Sequence, residues 1–211
     1  MKSLIPKTSV PSIIKHADGE FYTRYFSPIY DFLTRISGWQ KKMSAHALEG
    51  IVPSKLLDVG CGTGYLLQMA RSKKFEVTGL DASSGMLKQA QKKYNFTESM
   101  LVFGLANQMP FDDESFDVVI ACGSLVHIPE IETSAQEMLR VVKKGGLIRI
   151  VDHAQPIKPR RLSFLFKIFS QLSGDILHDY DQHFLNHCQK GTHRTLGRGG
   201  YLQCMDYRRK R

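Results

Sequence analysis

Residues 56–64 read Leu56-Leu57-Asp58-Val59-Gly60-Cys61-Gly62-Thr63-Gly64, an apolar run that ends in a carboxylate and enters three alternate glycines. Residues without Cβ let the chain turn tightly at positive φ and bring backbone N–H groups against a ligand at a helix N-terminus. Downstream, residues 76–80 read as a second short strand that stops at Asp81, 23 residues after Asp58 and so about one strand-helix-strand unit away. An acid placed there can hold a ribose diol. Alone, the glycines describe only a tight strand-to-helix turn. The acid at the next strand end makes them a binding loop.

The spacing also excludes chemistry. A dinucleotide loop places a third small residue one position beyond Gly64, where this chain has Tyr65, so a nicotinamide cofactor is disfavoured. A phosphate loop needs a lysine after its last glycine, and here Tyr65 and Leu66 follow. What remains is an adenosine ligand without a pyrophosphate. The elements that must position this loop alternate. Strands are expected over 55–59, 76–80, 100–104, 116–122 and 146–151, and helices over 64–72, 83–93 and 130–141. Such alternation predicts an α/β fold with a doubly wound parallel sheet and helices on both faces. Two N-terminal helices are read over 18–36 and 38–49, broken at Ser37-Gly38. Beyond Asp152, Pro156 and Pro159 mark a connection to two helical stretches and a hairpin turning at Gly199-Gly200.

At this point the chain resembles the class I, Rossmann-like S-adenosylmethionine-dependent methyltransferases, especially the methyltransferase type 11 group that includes the ubiquinone/menaquinone-biosynthesis enzymes. The resemblance spans roughly residues 20–152. It takes in the glycine loop, the segment Gly79-Leu80-Asp81-Ala82-Ser83-Ser84-Gly85-Met86-Leu87 and the later landmarks Met109-Pro110-Phe111, Ser115-Phe116-Asp117-Val118-Val119 and Leu139-Arg140-Val141-Val142-Lys143-Lys144-Gly145-Gly146, in order. It implies a mostly parallel sheet closed by an antiparallel C-terminal hairpin, and S-adenosyl-L-methionine as the cofactor. The cofactor-binding residues so implied are Asp58, Gly60, Cys61, Gly62 and Gly64 at the loop, Asp81 and Ala82 at the ribose, Met86, Leu105 and Ala106 near the adenine, and Cys122 after the fourth strand. Tyr30, in the aromatic run of residues 21–31, is implied as a lid residue. Two positions depart from the family pattern. Gly104-Leu105-Ala106 lacks the acid that commonly meets the adenine amine, and Lys144 stands where a proline is usual.

Ligands of such sheets bind outside the carboxyl ends of the strands. The segments Cys122-Gly123-Ser124-Leu125-Val126-His127 and Asp152-His153 therefore line the expected acceptor side. Methyl transfer from a sulfonium mainly requires alignment, a dry pocket and, for some acceptors, a base. His127 is a candidate base, since an imidazole with its usual pKa near ~6.5 is largely neutral at pH 7, and Asp152 and His153 are alternatives. His183 and His187 stand four apart on an expected helix, but Phe184 replaces the glutamate of a zinc-binding helix, and no metal is expected.

The 211 residues, 42% hydrophobic, are enough for one packed domain. It is read as an N-terminal helical lid (1–50), a cofactor-binding core (51–152) and a basic C-terminal part (153–211). Four scattered cysteines without a C-x-x-C pair fit a reducing compartment, so a cytoplasmic location is expected. The net charge is +9, split as +3, −1 and +7 over residues 1–50, 51–152 and 153–211. With the apolar arc read over 160–172, this favours a small, lipophilic or membrane-associated acceptor and peripheral contact with an anionic membrane. Nucleic acid is a weaker alternative partner. An RNA methyltransferase and a non-catalytic cofactor-binding protein are the competing functions.

Overall fold

The computed structural model describes residues 38–153, 176–196 and 202–211. In chain order these form helix α1 (Trp39–Leu48), strand β1 (Lys55–Val59), helix α2 (Tyr65–Ser72), strand β2 (Glu76–Asp81), helix α3 (Ser84–Tyr94) and strands β3 (Leu101–Phe103) and β4 (Phe116–Cys122). Helix α4 (Ile131–Val141), strand β5 (Val142–His153), the short helix α5 (Asp181–Phe184) and strands β6 (Cys188–Leu196) and β7 (Leu202–Arg209) follow. The seven strands form one sheet in the order β3-β2-β1-β4-β5-β7-β6. Strands β1 to β5 run parallel, β7 pairs antiparallel with β5, and β6 pairs antiparallel with β7. The expected mixed sheet with its closing antiparallel pair is therefore the observed one. Tyr30, the helix read over 18–36, the apolar arc of 160–172 and the turn at Gly199-Gly200 lie outside the described residues.

The sheet is apolar on both faces, which is why its central strands read as continuous hydrophobic runs rather than alternations. Successive residues of a strand point to opposite faces. Leu57, Val59, Val119 and Ile148 accordingly pack in one core with Met138 of α4 and Phe184 of α5. Leu56, Val118 and Ile120 pack in the other, with Met43 of α1, Leu67 of α2 and Leu87 of α3. The chain reverses its winding between β1 and β4. The two strands pair directly, Asp58 opposite Ile120 and Val59 opposite Ala121, so the carboxyl ends of both open onto the same crevice.

Two expectations need correction. Strand β5 begins at Val142, not at 146, because Val142 already pairs with Phe116. The chain then bulges through residues 143–146 before Leu147 resumes pairing opposite Val118. Gly145 takes φ 77° in that bulge. A side chain at Gly146 would meet the Asp117 carbonyl at 2.9 Å. The helix expected to carry His183 and His187 together ends at Phe184, and His187 lies in the turn before β6, where its N–H bonds the Phe184 carbonyl.

One buried arginine joins the first helix to the sheet. Arg149 of β5 forms a two-pronged pair with Asp206 of β7, at 2.6 and 2.8 Å. Its remaining nitrogen donates to the Ala47 carbonyl at 3.2 Å and the Glu49 carbonyl at 2.6 Å. The last carbonyls of a helix have no partner within it, and the guanidinium supplies one. No helix among the described residues is long and apolar enough to cross a membrane.

Candidate active site

The glycine loop leaves β1 at the switch point and doubles back over the end of β2. The amides of Gly60 and Cys61 both donate to the Leu80 carbonyl, at 2.8 and 3.0 Å. Gly60 sits at φ 72°, and a Cβ there would lie 2.4 Å from that of Ser124, whose hydroxyl donates to the Val59 carbonyl at 2.6 Å. The loop after β4 is thus wedged against the glycine loop. Gly62 differs: at φ 51° its missing Cβ would meet nothing within 4 Å, so the centre of the loop faces open space. The Cys61 thiol is turned under the loop, where a side chain at Gly79 would meet it at 2.7 Å, and only the backbone of Cys61 remains for a ligand.

Asp81 organises this loop. One carboxylate oxygen accepts the Gly62 amide and the other the Ser83 amide, both at 2.8 Å. Burial raises its pKa, and the two amides pull the other way. A carboxylate offers about four lone-pair sites, so two are left for hydroxyls. Exposed Ala82 follows. The Ser83 hydroxyl then caps α3 by accepting the Met86 amide at 3.2 Å, which sets Met86, 9% exposed, in the first turn of the helix. Beyond β3, the Gly104 amide donates to the Asp81 carbonyl and the Gln108 amide to the Leu105 carbonyl, both at 3.2 Å. Leu105, Ala106 and Asp81 are therefore brought to one edge of the crevice, and the Leu105 side chain is 38% exposed.

Asp58 is the electrostatic oddity of the site. It is 2% exposed, and its side chain accepts no hydrogen bond from another described residue. Burial, and secondarily the negative charge of Asp81, push its pKa up to about 8. An ionised carboxylate in that position asks for a cation. Cys122, at the end of β4, is half-buried. Its thiol is pushed well above the usual range by burial and by Asp58 and Asp152, which makes it a neutral, unreactive wall.

On the acceptor side, His127 ends a short 3₁₀ turn, Leu125–His127, and is half-buried, as is His153 at the end of β5. Asp152 is fully buried and accepts from the Val126 amide at 3.2 Å, the Tyr180 hydroxyl at 3.0 Å and the His153 amide at 2.9 Å. Burial raises its pKa to about 6 against the pull of these donors and of His153. Carrying three donors, it is placed to hold the turn rather than to meet an incoming acceptor. Nothing in the sequence singles out Tyr180. It lies 28 residues from Asp152, in a stretch without a motif.

A family model described as a methyltransferase domain matches residues 57–150. A demethylmenaquinone methyltransferase of Staphylococcus haemolyticus is 33% identical over 168 residues, covering 72% of this chain and 70% of the relative. One from Desulfitobacterium hafniense is 36% identical over 129 residues, covering 58% of this chain. The chain spans about half the length of that relative, 51%. An S-adenosylmethionine-dependent methyltransferase of Thermotoga maritima has the same fold, with a TM-score of 0.69 at 16% identity, covering 90% of this chain and 99% of that one.

Proposed function

The chain belongs to the class I S-adenosylmethionine-dependent methyltransferases, and from that premise we propose that it transfers the methyl group to a lipophilic quinol of the kind for which its demethylmenaquinone methyltransferase relatives are named. For the cofactor, the observation that carries this reading is the pairing of a buried carboxylate of raised pKa, Asp58, with a glycine loop open at Gly62 and bound by Asp81.

These residues fit the cofactor's three parts. Asp58 meets the need of an ammonium group, the free lone pairs of Asp81 suit a ribose diol, and the Gly62 opening admits the chain between them. Leu105, Ala106 and Met86 offer an apolar slot for a base. When bound, the cofactor would supply a sulfonium methyl group, and a quinol acceptor would give up a proton in exchange for it. The protein aligns the two reactants, excludes water and receives that proton. His127, at the end of the 3₁₀ turn, is our candidate for receiving it.

The test is transfer of labelled methyl from S-adenosylmethionine to a short-chain demethylnaphthoquinol. Label in the quinol fraction, reduced at least tenfold in Asp81→Ala, is expected, since losing a charge-assisted bond of ~1.5–3 kcal/mol costs one to two decades in affinity. Label appearing in RNA instead would replace the quinol with a nucleic-acid acceptor.

A further inference from the structure

The contacts around Asp152 go beyond burial of one acid. The turn Leu125–His127 lies in the chain between β4 and α4 and is held on three sides. Ser124 is wedged against Gly60 on the cofactor side. Asp152 takes the Val126 amide on the β5 side. From the third side comes the segment leading into α5. The Ile176 amide donates to the Val126 carbonyl at 2.6 Å, the His178 ring lies against the carbonyls of Leu125 and Ile128, and the Tyr180 hydroxyl reaches the same Asp152 oxygen as Val126.

We propose that Asp152 and Tyr180 are a positioning pair, which locks the turn carrying His127 between the glycine loop and the α5 segment and so sets the acceptor against the cofactor. The proposal rests on the methyl-transfer reading. Neither residue touches substrate: both are buried, Tyr180 to 2% exposure and Asp152 completely. The single shared carboxylate oxygen makes the device cooperative. It receives one donor from the turn and one from the α5 segment, so loss of either leaves the other less constrained. The carboxylate works ionised, as an acceptor only. Tyr180, with its pKa raised by burial and by Asp152, stays a donor throughout the working range. The other titratable groups facing Asp152 are His153, which favours its ionised form, and the Cys122 thiol, which stays neutral.

Tyr180→Phe removes one hydroxyl and keeps the ring. In that variant, amide hydrogen exchange at Val126 and Ile176 is expected to speed up about tenfold, and kcat on the quinol to fall about tenfold. The KM and dissociation constant for S-adenosylmethionine should be unchanged, because Asp58, Gly62 and Asp81 are not in the clamp. The acidic limb of the kcat profile should move to higher pH, since the hydroxyl that favours ionised Asp152 is gone. Asp152→Asn, which keeps one acceptor oxygen, should show the same split between kcat and KM without the acidic limb. Unchanged exchange at both amides, or a loss of kcat matched by an equal loss of cofactor affinity, overturns the pair. Wild-type protein that binds S-adenosylmethionine but methylates no quinol refutes the function, and the exchange measurement then still decides whether the clamp exists.

Discussion

Asp58 carries the sharpest conflict between folding and binding in this chain. Its pKa of about 8 lies above the ordinary 3.8, so the folded, ligand-free protein prefers it protonated. Stability contributed by this group is full below the unfolded pKa and declines as pH rises from about 4 to about 8, because ionisation is easier in the unfolded chain. A bound ammonium reverses the preference, and binding near pH 7 must therefore expel a proton. Calorimetry in buffers of different ionisation enthalpy should show release of a fraction of a proton at pH 7 and almost none at pH 9, with affinity rising between pH 6 and 8. Asp58→Asn should stabilise the ligand-free protein by about 1–2 kcal/mol at pH 8 and weaken S-adenosylmethionine binding at least tenfold. A variant that loses stability without losing affinity would make Asp58 a structural acid.

At the scale of elements, the legible parts were those whose partners lie close in sequence or whose burial is uniform. Strands β1, β2 and β4 are short apolar runs ended by Asp or Gly, and the glycine loop and Asp81 are tied by a fixed strand-helix-strand distance, so both strands and cofactor site could be read. Strand β6 was legible only as one arm of the expected hairpin and not in its bounds, since residues 189–195 are almost all exposed and their extended form comes from pairing with β7. The start of β5 was hidden because Lys143-Lys144-Gly145-Gly146 reads as a turn, and only register with Phe116 recruits Val142. The joins between elements were equally silent. Asp152 meets Tyr180 across 28 residues and Arg149 meets Asp206 across 57, with no motif to announce either. The second join is the more costly to break. Arg149→Met strands Asp206 and the carbonyls of Ala47 and Glu49 at the end of α1, and should destabilise the protein by about 3 kcal/mol in urea unfolding. Arg149→Met with Asp206→Leu removes the orphaned charge and should recover at least half of that loss. If the double variant is no better than the single, the helix carbonyls and not the ion pair dominate.

For the whole molecule, the antiparallel course of β7 decides where the positive charge goes. Arg208 pairs with Leu147 at the start of the regular part of β5, so Arg208-Arg209-Lys210-Arg211 emerge at the amino ends of the parallel strands, away from the glycine loop. They join Lys143-Lys144 there: the Arg208 guanidinium donates to the Gly145 carbonyl at 3.1 Å. Some of this charge is neutralised, Lys143 by Asp117 and Arg209 by Glu114, but Lys144 and Arg211 are exposed. Attraction to an anionic lipid surface is worth about 1 kcal/mol per basic residue near it and is screened over ~8–10 Å at physiological salt. Vesicles rich in anionic lipid should therefore retain the protein at low salt and release it as salt rises, while neutral vesicles should not retain it. Lys144→Glu with Arg211→Glu should lower that retention at least tenfold. Cofactor affinity and turnover on a water-dispersed quinol should stay unchanged, because the glycine loop and the Leu125–His127 turn lie at the other end of the sheet. Retention that resists salt, or that falls when a water-dispersed quinol is added, would instead place the membrane contact on the acceptor side.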